Sequence, residues 1–209
     1  MPPFQGQSMK RIATVILAAG ASRRLGFNKL CVRVNGEAVV RKTVGLFMTA
    51  GMGDIVVVTG FEAERIEREL LGLPVTFVHN ERHQDGMSAS IKAALPVIEA
   101  ADLAMFHLGD KPFVEPEGIV KVLDSYGRRD ASIIVAAHGG IKGHPVLVDL
   151  RRHREAMGAI EGEGGLRDMI DAAHGETLFV EAGEGSILDL DTEEDLALLE
   201  GRGYKIEKG

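Results

Sequence analysis

Leu17-Ala18-Ala19-Gly20-Ala21-Ser22-Arg23-Arg24-Leu25-Gly26-Phe27-Asn28-Lys29 leaves the end of an apolar, β-branched run at residues 11–17. That run reads as a buried first strand. Small residues after a strand let backbone N–H groups approach an anion, because no Cβ stands in the way. Two arginines and a lysine in the same loop add mobile positive charge. A cradle of donors with neutralising cations is what a polyphosphate requires.

Two common phosphate loops are excluded. In a Walker A loop, G-x-x-x-x-G-K-[ST], the glycines are closer than Gly20 and Gly26, and Lys-Ser/Thr follows the second. The dinucleotide fingerprint G-x-G-x-x-G is absent. The stretch instead resembles L-A-[AG]-G-x-S-x-R-[MLF]-G-x-x-K, the signature of nucleotidyltransferases of the nucleotide-diphospho-sugar transferase fold. The chain is identified on this and four later motifs as a member of the MobA-like NTP transferases. Within them it is most similar to the molybdenum cofactor cytidylyltransferases.

Composition fits such an enzyme. The chain has 209 residues, 45% hydrophobic and 26% charged, enough for one sizeable core. A net charge of −7 argues against nonspecific nucleic-acid binding, which needs a basic footprint. One cysteine, Cys31, excludes an intrachain disulfide and fits a reducing cytoplasm. Cys31 has no activating base beside it in sequence and reads as a structural thiol. No apolar run approaches a membrane span, so no membrane partner is expected. Residues 1–10 read as a disordered leader and 11–209 as one nucleotidyltransferase domain.

Strand and helix patterns then alternate. Strands are expected at residues 54–59, 75–79, 103–108, 132–137, 145–150 and 177–181. Helices are expected at 38–50 and 62–71, around Met87–Ile98, from Pro116, around Leu166–Ile170, and at 192–200. Repeated β-α-β with near-continuous apolar strands implies an α/β fold: a Rossmann-like, mostly parallel sheet with helices on both faces. Such sheets bind ligands at the carboxyl ends of their strands. The glycine-rich stretch 158–165 reads as a mobile loop.

The polar segments after the strands carry the chemistry. Asp110, in Gly109-Asp110-Lys111-Pro112, ends a buried strand, and carboxylates with phosphate oxygens suit Mg²⁺. Asp85-Gly86-Met87-Ser88-Ala89-Ser90-Ile91 reads as a loop entering a helix that Ser88 can cap, with hydroxyls for a base or ribose. His79 and His83 lie four apart but straddle a strand end and a loop, and are not read as a metal pair. In Leu188-Asp189-Leu190-Asp191-Thr192-Glu193-Glu194-Asp195, Thr192 and Asp195 form a capping-box pattern. Asp189 and Asp191 alternate, which in an extended segment puts them on one side.

The resemblance assigns roles. It implies Mg²⁺-dependent transfer of a nucleoside monophosphate from an NTP to a phosphate-bearing acceptor, releasing pyrophosphate. It places Arg24, Lys29 and Asp110 in catalysis, and Asp110 with Asp189 or Asp191 on the metal. The nucleotide-binding set is Leu17, Ala18, Ala19, Gly20, Ser22, Arg23, Arg24, Gly26, Lys29, Gly60, Asn80, Gly86, Met87, Ser88, Ser90, Gly109 and Asp110. Pro112, Gly143, His144 and Pro145 fall on the acceptor side, and Gly162-Glu163-Gly164-Gly165-Leu166-Arg167 resembles the family's G-D-x-G-x-R loop. Two positions depart from the pattern. Lys111 stands where an apolar residue or Gln is usual, and Glu193 where proline is common. The resemblance favours CTP over GTP, because L-A-A-G recurs in cytidylyl- and uridylyltransferases whereas the guanylyltransferases of the group usually have L-A-G-G; Ala19 in place of glycine would narrow the base pocket slightly. Molybdopterin carrying molybdenum is the leading acceptor, with sugar or polyol phosphates and adenosylcobinamide phosphate as alternatives. A cofactor-delivering chaperone in transient contact with a molybdenum enzyme is the reading from a different class.

Overall fold

The computed structural model describes residues 10–22 and 25–208. The leader expected over residues 1–10 therefore lies, but for Lys10, outside the described residues, as do Arg23 and Arg24. In chain order the elements are β1 (Ile12–Ala18), β2 (Arg33–Val34), β3 (Glu37–Ala38), α1 (Val39–Thr49), β4 (Ile55–Thr59), α2 (Ala63–Glu69) and β5 (Val75–His79). Then come α3 (Met87–Ala94), β6 (Leu103–Leu108), α4 (Pro116–Asp124), β7 (Ile133–His138), β8 (Ile141–Asp149), α5 (Leu150–Ala159), α6 (Leu166–Ala172), β9 (Thr177–Glu181), α7 (Glu193–Gly201) and β10 (Ile206–Glu207).

Seven strands form the main sheet in the order β5-β4-β1-β6-β8-β7-β9. β1 pairs in parallel with β4 and β6, β4 with β5, and β7 with β9. β8 runs antiparallel to both β6 and β7. The cause is local. Gly139 and Gly140 are the only residues between β7 and β8, and both have positive φ, 55° and 83°. A two-residue link of that kind makes a hairpin and is far too short for a crossover. The strand expected at 145–150 accordingly begins four residues earlier, at Ile141.

The strands are buried on both faces, as continuous apolar runs require. On one face Ile16, Val57, Met105 and Leu147 pack with Phe47 of α1 and Ile119 of α4. On the other Val15, Val58, Phe106 and Val148 pack with Ile91 of α3 and Met169 of α6. A third cluster joins Val32, Val34 and Val39 to Leu190, Leu196 and Leu199. It underlies a small antiparallel sheet, β10-β2-β3, whose β2–β3 turn is Asn35-Gly36. Helix α5 was expected only as a helical segment of unstated bounds before the glycine-rich stretch. Its buried residues are Leu150, His153 and Met157, a stripe too thin to stand out from its arginines. Asp149, the last residue of β8, caps it by accepting from the Arg151 N–H.

Two imidazoles, one fully and one half-buried, sit where β6 and β8 meet. His107 is fully buried, its ring 4.8 Å from that of Phe47. Its Nε2 lies 3.0 Å from the Lys111 carbonyl, which can only accept, so the proton is on Nε2. His144 packs edge-on against His107 at 6.1 Å. Burial, then the neighbouring imidazole, lowers the His107 pKa to about 3; burial, then the Lys111 ammonium, lowers that of His144 to about 4. The ordinary value is 6.5, so between 6.5 and these values the unfolded chain binds protons that the folded chain refuses. Stability is full above pH 6.5 and falls as pH falls, by at most about 1.4 kcal/mol per pH unit for each ring. The urea midpoint should therefore drop between pH 7 and pH 5. His107→Leu should lose stability at pH 7 with its hydrogen bond, yet show a shallower decline on the acid side. A wild-type midpoint that is flat over this range would mean that the rings take up protons within the fold.

Candidate active site

β1, β4 and β6 end side by side, and their carboxyl ends open into a cleft of about 570 Å³. Leu17, Ala19, Gly20 and Ser22 of the first loop line it. The Ser22 hydroxyl accepts from the Lys29 N–H at 3.1 Å, which folds the loop back on itself. Asn28 then caps a 3₁₀ turn at Lys29–Cys31: its Oδ1 accepts from Leu30 N–H and its Nδ2 donates to Glu62. This short turn aims Lys29 into the cleft. Ala18 points instead into the core, and Gly26 is exposed on the loop away from the lining. Both were expected at the nucleotide. Alternation along β1 turns Ala18 to the face opposite Leu17.

Asp110 enters from β6. The Gly109 N–H donates to the Leu17 carbonyl at 2.9 Å, and Thr43 Oγ1 donates to the Gly109 carbonyl at 3.0 Å. The backbone carrying Asp110 is thus pinned to β1 on one side and α1 on the other. The Lys29 ammonium contacts both Asp110 and Asp191. Burial pulls the Lys29 pKa down, but the two carboxylates outweigh burial and hold it above the ordinary lysine value. Asp110 Oδ1 is buried and has no hydrogen-bond partner among the described residues. A desolvated carboxylate oxygen without a donor is costly.

Two carboxylates converging on one positive position, one oxygen still unsatisfied, fit a small oxygen-binding divalent cation that takes its other ligands from phosphate and water. Among the described residues no group of three or more His, Cys, Asp or Glu side chains could hold a metal ion by itself. Of the alternating pair, Asp191 lines the cleft. Asp189 is instead bound to Lys111, 2.5 Å away. The structure therefore brings Asp110 and Asp191 together and leaves Asp189 with the lysine that departs from the family pattern.

Gly86, Met87 and Ser90 line another wall. Ser90 Oγ accepts from Asn80 Nδ2 at 3.0 Å. Ser88 does not cap α3 as expected: the cap position is Gly86, with no side-chain hydrogen bond, and Ser88 lies in the first turn. Its N–H donates to the Gly162 carbonyl at 3.1 Å. Gly60 does not line the cleft but lies against Ala19 and His83, so close that a Cβ would sit 2.6 Å from His83 Cβ. Phe61, His83, Gln84 and Glu163 line the cleft and were missed. For Glu163 the signal was present in the 162–167 motif, which overlaps the stretch 158–165 read above as a mobile loop.

None of Pro112, Gly143, His144 and Pro145 lines the cleft. The antiparallel pairing of Phe106 with Val146 does bring residues 143–145 level with the end of β6. The His144 ring, however, faces His107. The acceptor-side expectation for these four finds no support in their orientation.

The MobA-like NTP transferase domain matches residues 14–177. The molybdenum cofactor cytidylyltransferase of Escherichia coli (strain K12) is 28% identical over 141 residues, which is 67% of this chain and 71% of that protein. The bifunctional protein GlmU of Syntrophomonas wolfei is 28% identical over 60% of this chain, which spans only 28% of GlmU. Among solved structures, Rv0371c of Mycobacterium tuberculosis H37Rv superposes with a TM-score of 0.79 at 25% identity, over 92% of this chain and 98% of that one. A manganese complex of Rv0371c superposes at 0.74 and 24% identity, with the same coverage of both chains.

Gly86 offers a test of how the cleft is built. Its φ is +95°, and a Cβ there would lie 2.6 Å from the Gly162 carbonyl carbon and oxygen. Gly86→Ala should cost about 1–3 kcal/mol in backbone strain and also displace the loop carrying Glu163, weakening nucleotide binding. Gly72→Ala has the same kind of strain, with φ +83° and open space around it. It should lose stability alone. Equal nucleotide affinity in the two variants would show that the Gly86–Gly162 approach does not shape the cleft.

Proposed function

The chain belongs to the MobA-like NTP transferase family and is a nucleotidyltransferase, and from that premise we propose that it transfers CMP from CTP to the phosphate of a molybdopterin-type cofactor, using Mg²⁺ and releasing pyrophosphate. The observation that carries the chemical part is the convergence of Asp110 and Asp191 on one cationic position at the strand ends. Support for the cytidylyl part comes from the E. coli relative's name and from Ala19 in the cleft lining.

The work falls to few groups. An acceptor phosphate oxygen is already a nucleophile at neutral pH, so in-line attack on the α-phosphorus needs no general base. Positioning and charge neutralisation remain. Asp110 and Asp191 would hold the divalent cation, which supplies charge neutralisation to the phosphate oxygens. Lys29, with Arg24 of the same loop, carries positive charge to the β- and γ-phosphates and the leaving pyrophosphate. The Leu17–Gly20 segment and Ser90 hold base and ribose, with Asn80 orienting the Ser90 hydroxyl.

Pyrophosphate release should be measured with each of the four NTPs, against molybdopterin with molybdenum and against sugar and polyol phosphates. CTP with the pterin acceptor should lead, and turnover should vanish on chelation of divalent cations. Asp110→Ala should abolish release while the chain still folds, because Asp191 remains as a partner for the Lys29 ammonium. Lys29→Ala removes charge-assisted contacts worth roughly 1.5–3 kcal/mol, so kcat/KM should fall by about one to two decades. Ala19→Gly should relax the preference toward GTP. A wild type that prefers GTP would overturn the cytidylyl assignment alone; unchanged release in Asp110→Ala would overturn the site.

A further inference from the structure

We propose that Asp189 is not a ligand of the cation but the counter-charge of Lys111, and that this pair keeps the cleft negative enough to take the cation up. The inference rests on the reading above, in which Asp110 and Asp191 hold the cation.

Lys111 follows Asp110 directly, so it adds a positive charge beside the carboxylate that the cation needs. Its side chain is only 6% exposed, so water does little to screen it. The His107 Nε2–H donates to the Lys111 carbonyl at 3.0 Å, which fixes the backbone at this point. His107 and His144, on which the Lys111 charge acts, are neutral at pH 7 and offset nothing. Asp189 lies 2.5 Å from the Lys111 ammonium. Lys29 is thus paired with Asp110 and Asp191, and Lys111 with Asp189, while Glu163 adds a further carboxylate to the cleft lining. Without Asp189 the charge near the cation position would be one unit less negative, and a divalent cation would be drawn in less strongly.

The segment is built to deliver both carboxylates at once. Leu190 between them is fully buried in the third core cluster, which anchors the segment that carries Asp189 and Asp191. On the C-terminal side, Asp195 Oδ2 accepts from the N–H groups of Asp191 and Thr192, at 2.9 and 2.8 Å. Each aspartate then has its own lysine. Asp191 meets Lys29 at the cleft, and Asp189 meets Lys111 away from the cleft lining.

The test is binding of Mn²⁺ alone to the full chain, followed by the electron paramagnetic resonance of free Mn²⁺, with urea midpoints recorded in parallel. Asp189→Asn should weaken Mn²⁺ binding by about three- to tenfold, the effect of one charge at short range in a partly screened site. Lys111→Met should tighten it by a similar factor. The double variant should return to within about twofold of wild type, because both charges leave together. A double variant as weak as Asp189→Asn would overturn the proposal in favour of direct ligation. Unchanged binding in all three, with only the midpoints shifting, would reduce the pair to a structural tie. Should Asp189→Asn fail to fold around an unpaired ammonium, Lys111→Met and the double variant still decide, since tightening in the first and its reversal in the second are required. Asp110→Ala in the same titration reports on the underlying site: wild-type affinity there sinks that reading, whereas loss there with no tightening in Lys111→Met sinks this one alone.

Discussion

The ammonium of Lys29 holds together three segments that lie far apart in sequence: the loop after β1, the end of β6 and the stretch before α7. A buried or half-buried ammonium is stable only with partners, and two carboxylates are stable near each other only with a cation between them. The arrangement exists because β1 and β6 are parallel neighbours in register, Leu17 beside Leu108, so that both chains leave the sheet at one place. Strand order decides which charges meet, and those charges make the site.

The third segment depends on packing elsewhere. Asp189 and Asp191 lie beyond residues 14–177, the stretch matched by the family domain. What holds them is the third core cluster, where Leu190, Leu196 and Leu199 bury against Val32, Val34 and Val39. Each such side chain stabilises the docked segment by roughly 1.5–3 kcal/mol. β10 adds to this by pairing with β2, the strand that follows the Lys29 turn. Apolar burial on one side of the segment thus places carboxylates on the other, and the end of the chain becomes part of the cleft.

Much of this was legible from residue order. Periodicity placed most of the strands and helices, and the loop from Leu17 to Lys29 with Gly109-Asp110 located the functional end of the sheet. What was not legible has particular causes. β8 reads locally as any apolar strand, and its direction is set by the length of a two-glycine link. Helix α5 shows too few apolar residues for its period to register. Glu163 lies in a motif that the residue order does show, but the approach of Gly86 and Gly162 beside it is a contact across the fold with no local signature. His144 lies level with the strand end but faces His107, and nothing in Gly143-His144-Pro145 says which way the ring turns.

By itself the sequence determined the α/β class, the family and the presence of Lys29, Asp110, Asp189 and Asp191, because these follow from periodicity and from short motifs in order. Only the tertiary structure decided that Asp191 belongs to Lys29 and Asp189 to Lys111. Two carboxylates on one side of an extended segment are equivalent to local reasoning. They become different when a buried leucine anchors the segment and each meets a different lysine from far away in the chain, one on the turn after the first loop and one at the end of β6.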